Sequence, residues 1–154
     1  PWNTRIHIEH TSIQEFAANT PTRFDCIVSN PPFFNNATQA KHESRNTARH
    51  TQHLSHTALL ESAAQLLMPN GAFSVVLPAS EALAFRNCAS RFRLFTKRVT
   101  WVKPNPSKPI KRVLFELAFE CELETEDTLT IETENHHQYT PSFYQLVQPF
   151  YLNL

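Results

Sequence analysis

Glycine is nearly missing from this chain of 154 residues: Gly71 stands alone, where average usage would place about ten. A turn that cradles a nucleotide or cofactor needs positive φ and close backbone approach, which glycine supplies at little steric cost. The scarcity therefore excludes a glycine-rich cofactor loop from this sequence. No apolar run reaches the roughly 20 residues that cross a bilayer, and Pro1-Trp2-Asn3-Thr4-Arg5 shows no basic region followed by an apolar stretch and a cleavage site. No membrane contact and a cytoplasmic location are the expectation. Cys26, Cys88 and Cys121 are odd in number and lack a CxxC pair, so reduced, mostly buried thiols are expected. His50, His53 and His56 recur every third residue, but no cysteine or carboxylate completes a zinc set, and no metal site is expected.

What is present describes one folded unit. A hydrophobic content of 41% with 11% aromatics argues against disorder, and the length suits a single domain with a real core. Arg5-Ile6-His7-Ile8-Glu9 alternates as a half-buried strand does, and Ile13 to Ala18 fits a short helix before Pro21. Phe24-Asp25-Cys26-Ile27-Val28-Ser29 is a short apolar run suited to a strand buried on both faces, ended by Pro31 and Pro32, which cannot donate ladder hydrogen bonds. The polar stretch from Phe34 to about His53 predicts a mobile loop. Apolar spacing from Leu54 to Met68 predicts a helix closed by Pro69-Asn70-Gly71. Ala72 to Leu77 then reads as a buried strand, and a helix capped by Ser80 runs to about Ser90. Phe92 to Val102 and Val113 to Cys121 read as strands, Leu129-Thr130-Ile131 as a third, and Pro141 to Phe150 as a terminal helix. Strands alternating with helices predict an α/β fold with a mostly parallel sheet, closed by an antiparallel edge hairpin. Chemistry in such sheets sits beyond the strands' carboxyl ends, where Asn30 lies.

The net charge of zero hides a separation along the sequence. Nine cations lie between Arg86 and Arg112 with no acid among them, and eight acids with no cation follow from Glu116 to Glu134. A basic stretch with Phe92, Phe95 and Trp101 interleaved has the features of a nucleic-acid surface; a solvated face with its aromatics in the core explains it equally well. Lys41, Arg45 and Arg49, just after Asn30-Pro31-Pro32-Phe33, favour nucleic acid by placing cations near the proposed reaction centre.

Asn30-Pro31-Pro32-Phe33 suits one particular chemistry. The exocyclic amine of adenine is a poor nucleophile because its lone pair is delocalised into the ring. Two acceptors aimed at its hydrogens, the Asn30 side-chain oxygen and the Pro31 carbonyl, localise that pair. The prolines preorganise the carbonyl by fixing φ, and Phe33 stacks on an extruded base.

The unit Phe24 to Phe33 resembles the strand-plus-motif segment of class I S-adenosylmethionine-dependent amino-methyltransferases. The resemblance extends over Arg5-Ile6, Thr11 to Phe16, Gly71 to Pro78, Arg112-Val113-Leu114 and Phe150-Tyr151-Leu152, where the chain is most similar to the bacterial tRNA adenine-N6 branch. It implies a Rossmann-like sheet, S-adenosyl-L-methionine as cofactor, tRNA as partner, and Asn30, Pro31, Pro32 and Phe33 as the catalytic base-binding motif. Ser12 and Asn30 fall where the cofactor would be contacted, Ser12 where relatives often carry an acid. Lys41, Arg45, Arg49, Lys103, Lys108, Lys111 and Arg112 are the implied RNA contacts. The family's first strands, its glycine-rich loop and its ribose-binding acid have no counterpart here. Residues 1–154 are thus expected to be the C-terminal part of one methyltransferase domain. Such a part would bind the methyl donor weakly or not at all, and would expose a sheet edge open to self-association. A guanine-N2 enzyme on ribosomal RNA, a release-factor glutamine methyltransferase and a non-catalytic RNA-binding remnant stay open as alternatives.

Overall fold

The computed structural model describes residues 4–32, 54–135 and 137–151. The predicted loop from Phe34 to His53, with Phe33, Lys41, Arg45, Arg49, His50 and His53, lies outside the described residues.

Helix α1 (Ile13–Asn19) opens on Ser12, whose hydroxyl accepts from the Glu15 backbone N–H at 3.2 Å while Glu15 Oε2 accepts from Ser12 N at 3.3 Å. This reciprocal capping box satisfies the first orphan donors of the helix. Strand β1 (Phe24–Ser29) follows, then α2 (His56–Leu66), capped by the Ser55 hydroxyl. Strand β2 (Leu67–Pro78) begins directly at the end of α2. The second predicted helix starts differently from expectation. Ala79–Glu81 form a 3-10 turn with no side-chain cap, so Ser80 caps nothing, and α3 spans Ala82–Ala89. β3 (Phe95–Lys103), β4 (Arg112–Ala118), β5 (Thr125–Thr130) and α4 (Pro141–Val147) complete the chain.

The five strands form one sheet in the order β1-β2-β4-β3-β5. β1 is parallel to β2 and β3 to β5, while β4 is antiparallel to both β2 and β3. Four strands therefore point one way and only β4 the other. The β3–β4 hairpin is present, but β5 adds outside it and takes the edge that composition assigned to the hairpin. Charge explains why β5 docks there. β3 carries Lys97 and Arg98, and the following acidic segment pairs Lys97 with Glu122 at 3.0 Å and Arg98 with Asp127 at 2.8 Å. Arg86 on α3 pairs with Glu124 at 2.6 Å.

One face of the sheet carries the core. Phe73, Val75 and Leu77 of β2 oppose Leu117, Phe115 and Val113 of β4, and all are buried with Leu60 of α2 and Phe85 of α3. The described residues leave the other face largely uncovered. Val28, Ser74, Val76, Leu114 and Thr100 share it by register, and Val28 is 77% exposed. Among the described residues β1 is the outer strand on its side, so a segment with the composition of a doubly buried strand is there uncovered along one edge and one face. The same openness accounts for the cysteines. Cys26 on β1 and Cys121 are exposed and Cys88 half-buried, all free thiols, so the expectation of mostly buried thiols fails. Arg5 to Glu9 forms no strand, and Ile8 is 89% exposed. Alternation is a pattern that needs a partner strand, and none of the described residues supplies one.

Gly71 has a definite task. Between the pairs Phe24–Leu67 and Cys26–Ala72, β2 accommodates three extra residues in a bulge. A Cβ on Gly71 would meet the Phe24 carbonyl oxygen at 2.9 Å and that of Asp25 at 3.0 Å. Both are backbone atoms of β1 and cannot swing aside. Gly71→Ala is expected to destabilise the protein by about 1–3 kcal/mol, read as a lowered urea midpoint at unchanged m-value; an unshifted midpoint would show that the seam yields.

Candidate functional site

Because β1, β2, β3 and β5 are parallel, their carboxyl ends share one rim. Asn30 follows β1, Pro78 ends β2, Lys103 ends β3 and Thr130 ends β5. The β3–β4 loop rises from the same rim, tied down where Lys111 N donates to Val102 O at 2.9 Å and Ala79 N donates to Lys111 O at 3.2 Å. Asn105 shapes the loop, its Oδ1 accepting from Lys108 N and the Ser107 hydroxyl.

Asn30 is exposed and Pro31 buried. Asn30 lines the end of a trough of about 570 Å³ that runs over the bare face to Ser142 and Leu146 of α4. The floor is apolar, with Val28, Val76, Leu114 and Leu129, and polar groups gather at Arg98, Glu116 and Asp127. The Asp127 carboxyl is held below its ordinary range, first by the Thr100 hydroxyl and then by the Arg98 guanidinium. Arg98 is raised in turn by Asp127, and Lys97 by its bond to Glu122.

The sequence-predicted residues divide among three places. Asn30, Pro31 and Pro32 stand at the rim. Lys103 at the end of β3, Lys108 and Lys111 on the β3–β4 loop and Arg112 at the start of β4 stand there too. Lys103 Nζ donates to the Pro106 carbonyl at 2.9 Å, and no salt bridge among the described residues engages Lys108, Lys111 or Arg112. Ser12 lies at the α1 cap, where its hydroxyl accepts from Glu15 N and donates to Glu15 Oε2 at 2.9 Å. The Ser12 bond is also the first cause lowering the Glu15 pKa. A cofactor contact by Ser12 would compete with that cap. Phe33, Lys41, Arg45 and Arg49 lie outside the described residues.

The basic stretch as a whole is not a free surface. Phe92 and Trp101 pack against the core, the Trp101 indole donates to Glu126, and Arg86, Lys97 and Arg98 are paired with acids. One grouping went unnoticed in the sequence: His56, 3.7 Å from Glu81 and edge-on to Phe85. It joins the amino ends of α2 and α3.

Comparison with solved structures places this arrangement. The chain superposes on a predicted O-methyltransferase from Agrobacterium tumefaciens with a TM-score of 0.60 at 15% identity, over 81% of this chain and 51% of that one. The fold is that of a Rossmann-like methyltransferase. Sequence relatives agree. The chain is 40% identical over 154 residues to the tRNA1(Val) (adenine(37)-N6)-methyltransferase of Vibrio vulnificus strain YJ016. It is 41% identical over 151 residues to the protein of the same description from Trichodesmium erythraeum strain IMS101. It is homologous to both along essentially its whole length, and spans 63% of each. No protein-family model matches the chain.

The described residues do not fit a complete S-adenosylmethionine site. The single glycine is held in the β1–β2 seam by backbone contacts and is unavailable for a cofactor turn, and the Ser12 hydroxyl is engaged in its cap.

The Asp127 linkage carries a sign. A carboxyl depressed in the folded state stabilises it above the unfolded value of about 4, and that stability is lost as pH falls through the depressed value. Asp127→Asn is expected to cost a few tenths to about 1 kcal/mol near neutrality, as exposed pairs do. Thermal melts at pH 7 and pH 3 check this, the gap between variant and parent narrowing at pH 3.

Proposed function

We propose that this chain is the acceptor-binding part of an S-adenosylmethionine-dependent methyltransferase acting on the N6 amine of an adenine in tRNA. The observation that carries the reading is the position of Asn30-Pro31-Pro32 at the carboxyl end of a parallel strand in a methyltransferase fold. The sequence relatives named above supply the acceptor, and the unpaired cations of the β3–β4 loop favour a polyanion over a protein substrate.

The chain's own residues perform the gripping. Asn30 Oδ1 and the Pro31 carbonyl each accept a hydrogen bond from one amine hydrogen, which draws the nitrogen toward a pyramidal geometry, takes its lone pair out of conjugation with the ring and points it one way. Burial of Pro31 and its fixed φ keep that carbonyl in place. Phe33 offers a face for the extruded base. S-adenosylmethionine, when bound, supplies an electrophilic methyl group. Residues beyond those of this chain hold it, in keeping with the greater length of the relatives, and residues 1–154 form one portion of a single domain. A tRNA acceptor goes with action in the cytoplasm.

Asn30→Ala is expected to lower methyl transfer to total tRNA by about a hundredfold or more, assayed with the complete protein carrying this sequence. Normal activity would sink the amine clamp. Calorimetric titration of the 154-residue chain with S-adenosylmethionine is expected to show no micromolar binding; micromolar affinity would mean that the chain builds its own donor site. The open edge of β1 adds a prediction. Parallel sheets are ordinarily covered on both faces, so the isolated chain is expected to associate as concentration rises, by light scattering, and a strict monomer would count against an available edge.

A further inference from the structure

The segment after β5 builds a second prong beside the cationic loop. Ile131 N donates to Lys103 O at 3.0 Å and Glu132 N to Pro104 O at 2.8 Å, which extends the β3–β5 ladder past the rim. The chain then folds back on itself. Thr133 N donates to Gln138 O, Thr140 N donates to Ile131 O, and Glu132 and Tyr139 form an antiparallel bridge. The turn between is closed by Asn135, whose N–H donates to Thr133 Oγ1 and whose side-chain amide donates to Gln138 Oε1. Tyr139 of this hairpin is 41% exposed and packs its ring against that of Phe143 at a centroid distance of 5.0 Å.

Resting on the reading of Asn30 as the target-base grip, we propose that Tyr139 is a base-stacking platform, and that with Lys108, Lys111 and Arg112 it holds the unpaired nucleotides flanking the target. Three observations divide the work. From β1 outward the rim crosses β2, β4, β3 and the two arms of the hairpin. Five spacings of about 4.8 Å put Tyr139 roughly 24 Å from Asn30. The loop cations stand between the two, where a backbone joining them must pass. Tyr139 itself offers an aromatic ring and no charge, so that prong takes the face of a base rather than the phosphate backbone. Flanking bases can reach such a platform only when splayed, which selects a single-stranded loop over a duplex.

The test reads binding without any methyl donor, so it stands apart from the outcome of the transfer reaction. The probes are a stem-loop RNA with an adenine in its unpaired loop and a blunt duplex of equal length, titrated by fluorescence anisotropy against the complete protein carrying this sequence. The stem-loop is expected to bind more tightly. Tyr139→Leu should weaken it about five- to a hundredfold with the salt slope unchanged, and Tyr139→Phe should restore it. Lys108→Ala and Lys111→Ala should each flatten the slope by about 0.7. Asn30→Ala should leave most of the affinity in place, which separates this surface from the amine clamp. Equal affinity for the duplex, or a Tyr139→Leu variant that folds by circular dichroism and binds as the parent does, would overturn the proposal.

Discussion

The close approach of β1 to β2 at Gly71 is the constraint on which the rest depends. Carbonyl oxygens of β1 stand where any larger residue would place its Cβ. Only a residue without a side chain lets the bulged start of β2 lie against β1 and then resume register from Ala72 onward. That register sets Ser29 against Val75 and so delivers Asn30 to the rim. The one glycine of the chain thus serves a sheet seam and not a cofactor loop, and the site inherits its placement from that seam.

The second organising force is charge. Cations and acids that are separate blocks in the sequence become neighbours in space, because β3 and β5 run parallel with the acidic segment folded back along the basic one. Exposed pairs such as Arg98–Asp127 contribute little singly, yet two from β3 and one from Arg86 of α3 all bind the acidic segment on the side where β5 docks. Their formation also removes Arg86, Lys97 and Arg98 from the pool of ligand-binding cations. Among the described residues Lys108, Lys111 and Arg112 carry no salt bridge and stand at the carboxyl rim, while Arg23, Arg91 and Arg93, also without one, lie near the amino ends of β1 and β3.

The bare sheet face is the counterpart of the covered one. α2 and α3 bury Phe73, Val75 and Leu77, while the alternate positions Ser74 and Val76 look onto the trough. Relatives of greater length have residues to spare for that side. Among the described residues, α4 reaches it through Ser142 and Leu146.

Much was legible in sequence. The strand from Phe24 to Ser29, the helices around Ile13, Ala58 and Phe85, and the alternation of Phe73 to Leu77 are local patterns of spacing, and Asn30-Pro31-Pro32 marks its own strand end. Where reading fell short, the cause was a partner distant in sequence. Arg5 to Glu9 has a strand's alternation but no strand to pair with, Cys26 is apolar in context but sits on an open edge, and Phe92 and Trp101 look like stacking residues but face the core. The sequence by itself determined most of the elements, the Asn30-Pro31-Pro32 motif at a strand end and the lack of a glycine-rich turn, since each follows from side chains a few residues apart. Only the tertiary structure decided which cations stay unpaired, that β5 and not the hairpin takes the outer edge, and that Tyr139 shares a rim with Asn30. Those facts depend on strand order and register, which no local pattern encodes.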